Sequence, residues 1–184
     1  MSDQGFEHFA GTKPVSEKQQ FDIAALDAWM NDHVDGFKGP LTVEQFKGGQ
    51  SNPTYELTTP ARAYVLRRKP PGTLLPSAHA VDREYKVISG LNKAHFPVAK
   101  AYALCMDEAV IGTIFYVMEN VEGRILWDGT LPDYQPAERR AIYEAQIDTL
   151  AALQVANGYL LPCRAALLAD FEGKWAHDGL VLDN

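Results

Sequence analysis

Cysteine is nearly absent from this 184-residue chain: Cys105 and Cys163 are the only two, and they form neither a metal-ligand spacing nor a disulfide framework. That usage suits a reducing compartment. Basic charge is also scarce, with 17 Lys and Arg against 24 Asp and Glu for a net charge of -7, which excludes a whole-chain footprint for nucleic acid and a polybasic membrane surface. The N-terminus MSDQGFEHFAG lacks the basic and apolar blocks of a signal peptide, and no run reaches the roughly 18 apolar residues of a membrane span. These absences lead us to expect a cytoplasmic protein that holds any anionic ligand locally. Internal repeats and low-complexity tracts are missing too, so solenoids and fibrous folds drop out.

What is present is a globular composition, 46% hydrophobic and 22% charged, enough for one domain or slightly more. Residues 1 to 20 are polar and aperiodic and read as a flexible arm. Between Phe21 and Val34 apolar residues keep helical spacing until Gly36 and Gly39 end the run. Three short extended stretches follow, Leu41 to Phe46, Thr54 to Thr58 and Ala63 to Arg68, and their turn-rich connections predict an antiparallel meander. The tract Lys69-Pro70-Pro71-Gly72 stops the third strand. Ser77 then offers a helix cap before Val81, Tyr85, Ile88 and Leu91, with a break expected at Gly90 to Asn92. Ala99 to Met106 and Val110 to Met118 read as a hairpin turning at Asp107-Glu108. After Gly123, Asp133 to Pro136 resembles a helix start, and Tyr143, Ile147, Leu150 and Leu153 form its apolar stripe. From Tyr159 onward no period persists.

Four features carry chemistry. FKGGQSN, residues 46 to 52, joins two strands, and its paired glycines let backbone amides converge while Ser51 and Asn52 add short polar groups; taken alone, such a loop is most often only a hairpin turn. Arg67 shares a strand face with Val65, so an inward Val65 brings a cation with it. Glu84 stands three residues after Val81 and four before Ile88, on the apolar side of its helix, where a carboxylate needs a partner. Either charge singly also reads as a snorkelling surface group. The two together, after a Gly-rich hairpin, predict an ion pair facing a cleft. Lastly, the strand Phe115 to Met118 runs through Glu119 and Asn120 into a connector whose backbone can meet a flat heterocycle, or is simply a strand end.

In that order these parts resemble the kinase-like fold. The stretches FKGGQSNPTYEL, YVLRRKPPGTLLPSAHAVDREYKVISGL and PVAKAYALCMDEAVIGTIFYVMENVEGRI resemble the aminoglycoside phosphotransferase family, in the branch also found fused to acyl-CoA dehydrogenases. The likeness runs from Phe21 to Leu153. It implies an α+β fold: a kinase-like N-terminal lobe with its connector over residues 21 to 121, built from a five-stranded antiparallel sheet and a helix between strands three and four, then the start of a helical lobe over 122 to 184. It further implies ATP and Mg2+ as cofactors and phosphorylation of a hydroxyl on a small molecule. Gly48, Gly49, Ser51 and Asn52 would cover the phosphates, Arg67 would stand where relatives place the phosphate-contacting lysine, and Glu84 would be its partner. Met118 would border the adenine, whose edge the backbones of Glu119 and Val121 would meet.

The family's catalytic loop has the form H-x-D-x4-N. His177 and Asn184 have its outer spacing, but Asp178 follows His177 directly and Gly179 occupies the position of the acid, which is one residue off. The resemblance fades at Leu153-Gln154, so the chain reads as a shortened member without its catalytic loop. A non-catalytic nucleotide- or partner-binding fragment is the alternative, and a fragment that self-associates through uncovered apolar surface is a third reading.

Overall fold

The computed structural model describes residues 10–48, 52–70, 72, 80–126 and 128–153. Strand β1 is the two-residue Thr12–Lys13; helix α1 is Ile23–His33; β2, β3 and β4 are Thr42–Phe46, Thr54–Thr58 and Ala63–Arg68; α2 is Val81–Lys93; β5 and β6 are Ala101–Cys105 and Phe115–Glu119. A last helix, α3, occupies 136–153. The strands form one antiparallel sheet in the order β1-β2-β3-β4-β6-β5. The fold is α+β, with the sheet and its helix arranged as the kinase-like resemblance implies.

The meander β2 to β4 lies where alternation places it. The register Tyr55↔Leu66, Leu57↔Tyr64 and Leu66↔Val117 puts Tyr55, Leu57, Tyr64, Leu66 and Val117 on one face, with Phe115 two residues before Val117. All six are buried, and they pack with Leu26 and Met30 of α1 and with Val34, Phe37, Cys105 and Ile111. Asp22 caps α1 by accepting from the Ala25 N–H at 3.0 Å. Gly36 turns the chain after the helix with a φ of 74°. Gly39 has a different reason: Asp27 Oδ1 accepts the Leu41 N–H at 3.1 Å, and a Cβ at residue 39 would collide with that carboxylate.

The opposite face carries Thr54, Glu56, Val65, Arg67, Tyr116 and Met118, through the pairs Thr54↔Arg67, Glu56↔Val65, Val65↔Met118 and Arg67↔Tyr116. Helix α2 packs against β5 and β6. Asn92, near its C-terminal end, donates to Ala99 O at 3.2 Å and accepts from the Ala101 N–H at 2.8 Å, which fixes where β5 begins. The helix continues through Gly90 to Lys93 rather than breaking there; Ser77, its expected cap, lies outside the described residues. The β5–β6 connection is also longer than a turn at Asp107-Glu108, because β6 starts only at Phe115 and Gly112 adopts a φ of 84°.

Part of the expected loose arm is folded. Thr12 and Lys13 pair with Phe46 and Gln45, adding a sixth strand to the five expected, and Gln19 is held by Arg68. Arg68 is 2% exposed: its Nε donates to the Tyr55 hydroxyl at 3.0 Å and its Nη2 to Gln19 O and Oε1 at 2.9 and 2.7 Å. Its guanidinium lies 5.0 Å from the Phe21 ring centre and 5.2 Å from that of Tyr55. A buried cation needs such partners, and the arm supplies them. Helix α3 starts as expected, with Pro136 in its first turn and Glu138 Oε2 accepting the Gln135 N–H at 2.9 Å. Its stripe is uncovered, however: Tyr143, Ile147 and Leu150 are all exposed.

Candidate functional site

The polar centre of the sheet's second face is Glu84, in the first turn of α2. The helix rises from Val81, which is fully buried, and that anchor turns residue 84 toward β4 and β6. Glu84 Oε2 lies 2.9 Å from Arg67 Nε, so the expected ion pair is present. The Arg67 Nε–H does not point along the hydrogen-bonding direction, which makes the contact charge–charge rather than an aligned bond. The Tyr116 hydroxyl donates to the same oxygen at 3.2 Å, and Asn52 Nδ2 donates to the other, Oε1, at 2.8 Å. One carboxylate thus ties together β4, β6 and the end of the Gly-rich connection. Burial, and secondly the Glu84 carboxylate, push the Tyr116 phenol far above the ordinary tyrosine range.

A cleft of about 490 Å³ opens beside this centre, lined by Arg67, Arg83, Glu84, Val87, Ile88, Tyr116 and Met118. Its size and its apolar walls, interrupted by a few charged groups, match the usual form of a small-molecule site. Arg67, Glu84 and Met118 therefore come together as expected. Asn52 joins them, but its side chain is 4% exposed and turned to Glu84. Gly48 is described and lies beside them in the chain, whereas Gly49 and Ser51 lie outside the described residues.

The connector after β6 behaves differently for its two expected contacts. The Glu119 N–H donates to Lys100 O at 2.8 Å, so only the Glu119 carbonyl is left to meet a heterocycle through the backbone. Val121 is exposed and does not line the cleft. Asn120 Nδ2 reaches back to Glu56 Oε1 at 2.7 Å and so pins the connector to β3 on the cleft face. Tyr116, Arg83 and this Asn120–Glu56 bond carried no signal in the sequence beyond a strand end and a helical Arg.

Among the described residues no group of three or more His, Cys, Asp or Glu side chains is placed to hold a metal ion, and none of the helices is long and apolar enough to cross a membrane. His177, Asp178, Gly179 and Asn184 lie outside the described residues. The cleft offers a cation, Arg67, beside an apolar wall of Val87, Ile88 and Met118. A Mg2+ site finds no such support among the described residues.

The chain matches the Phosphotransferase enzyme family over residues 42–177. It is 49% identical over 147 residues to acyl-CoA dehydrogenase family member 11 of Homo sapiens, covering 78% of this chain and 19% of that protein. The chain thus spans about a fifth of the length of the curated relatives it matches. A crystal structure described as a "putative aminoglycoside phosphotransferase" from Ralstonia eutropha JMP134 superposes with a TM-score of 0.64 at 54% identity, covering 72% of this chain and 38% of that one. A separate likeness of 69% over 36 residues, 20% of this chain and 4% of the other, is to aminopeptidase N of Haemophilus influenzae.

Proposed function

The chain belongs to the phosphotransferase enzyme family, and from that premise we propose that its cleft holds ATP for transfer of the γ-phosphoryl group to a hydroxyl of a small molecule. The observation that carries this reading is the Arg67–Glu84 pair at the edge of the cleft. Phosphoryl transfer depends on holding phosphates in place and offsetting their charge. Arg67, steadied by Glu84, supplies the cation. The connection formed by Gly48, Gly49, Ser51 and Asn52 supplies backbone amides over the phosphates. Met118 forms the apolar wall for adenine, and the Glu119 carbonyl meets its edge. Mg2+, which the family resemblance implies, would neutralise phosphate charge when bound. Nucleotide and a small hydroxyl-bearing substrate are then the partners, and a cytoplasmic setting suits both ATP use and the low cysteine content.

The second reading, a nucleotide- or partner-binding fragment that transfers nothing, is favoured by one observation. The loop expected to carry the acid has Gly179 in its place. Incubating the protein with γ-labelled ATP, Mg2+ and a panel of small alcohols separates the two. Labelled phosphate on an alcohol supports the transferase. Saturable ATP binding with no product above buffer supports the nucleotide-binding fragment, and absence of binding contradicts the transferase and leaves only a partner-binding fragment.

A further inference from the structure

Asn52 follows a pair of glycines and a serine, and a short amide in that position reads as a direct ligand for phosphate oxygens. Its environment says otherwise. The side chain is 4% exposed, and its Nδ2 donates to Glu84 Oε1 at 2.8 Å across 32 residues of sequence. Its backbone is fixed as well, since the Thr54 hydroxyl donates to Asn52 O at 3.0 Å. Glu84 has its second oxygen committed to Arg67 Nε at 2.9 Å and to the Tyr116 hydroxyl at 3.2 Å. A carboxylate accepts on both oxygens, and donors on only one leave it free to swing about its terminal torsion, which is broad for Glu. With Asn52 on Oε1 and Tyr116 on Oε2, the plane of the carboxylate is set from both sides, and so is the place of the guanidinium paired with it.

We infer that Asn52 is a positioning residue: its side chain acts through Glu84 to place Arg67 in the cleft, and does not itself hold phosphate. The chemical consequence is an asymmetry between ligands. What the Asn52 side chain contributes through Glu84 passes to the cation, so it counts for anionic ligands far more than for the base alone. The inference rests on the proposed nucleotide reading only for that consequence; the Asn52–Glu84 contact stands apart from it.

Two measurements on the full 184-residue chain test it. In the ligand-free protein, exchange of the Asn52 side-chain amide hydrogens should be protected, and at least tenfold faster in Glu84→Ala. Unchanged exchange overturns the inference whether or not any nucleotide binds. The second is a double-mutant cycle with Asn52→Ala and Glu84→Gln, a milder change, read as affinity for ADP and for adenosine. Asn52→Ala should weaken ADP about tenfold and adenosine less than twofold, and in the Glu84→Gln background its effect on ADP should fall below twofold. An equal loss of ADP affinity in both backgrounds would make Asn52 a direct ligand and overturn the inference, as would an equal loss for adenosine, which indicates a structural role only. Failure of the wild-type chain to bind ADP would refute the nucleotide reading and leave the exchange result to decide on Asn52.

Discussion

Arg67 and Arg68 are neighbours on β4 and serve opposite faces of the sheet. Arg67 meets Glu84 at the cleft, whereas Arg68 is buried among Tyr55, Gln19 and Phe21 on the face of α1. The strand's two-residue period imposes this split. One cation is left at a cleft edge, half-exposed and able to meet an anion, and the other is a structural rivet for the N-terminal segment.

Substitution of the two should therefore give different losses. Arg68→Ala strips the Tyr55 hydroxyl and the Gln19 carbonyls of their donor, and we expect a loss of about 2–3 kcal/mol of unfolding free energy, with faster amide exchange in residues 12 to 20. Arg67→Met removes a partly solvated pair and should cost about 1 kcal/mol or less. Urea unfolding of both variants checks this; equal losses would count against the division of labour.

The raised phenol of Tyr116 predicts an alkaline signature. A group whose folded-state pKa exceeds its unfolded value of about 10 contributes stability that is fully present below pH 10 and declines as pH rises through the folded value. Stability should thus fall above pH 10, with smaller contributions of the same sign from the buried phenols of Tyr55 and Tyr64. Tyr116→Phe should flatten the decline. Denaturant midpoints measured from pH 8 to 11 would show it, and identical slopes for the two proteins would refute it.

Ile147 on α3 is 66% exposed and belongs to a stripe whose other members Tyr143 and Leu150 are exposed as well. Ile147→Lys should therefore change unfolding free energy by no more than about 0.5 kcal/mol while lowering any concentration-dependent association. Sedimentation velocity together with thermal unfolding tests both parts. A loss above about 2 kcal/mol would mean that the stripe is covered in solution.

The ion pair was legible because both of its residues sit in local patterns: period two places Arg67 with Val65, and three-to-four spacing places Glu84 on the helix face. A charge in each pattern demands the other. The meander and α1 were legible for the same reason. Other features depend on distance along the chain. Gln19 reaches Arg68 across 49 residues, and Asn120 reaches Glu56 across 64, so neither segment shows its partner locally. A two-residue strand such as Thr12–Lys13 has no period to read. Tyr116 reads as an ordinary buried strand residue until the β4–β6 register sets it opposite Arg67. Val121 stands outside the cleft lining, and a connector lacks any repeat from which such a direction can be inferred.

The central claim is that the cleft beside Arg67 and Glu84 binds an adenine nucleotide through its phosphates. Calorimetric titration of the 184-residue chain with ADP, beside Arg67→Met, tests it most directly. We predict one saturable site in the wild type, weakened at least tenfold by Arg67→Met, with adenosine binding little changed between them. No saturable heat with ADP, or an affinity untouched by loss of Arg67, would contradict the account.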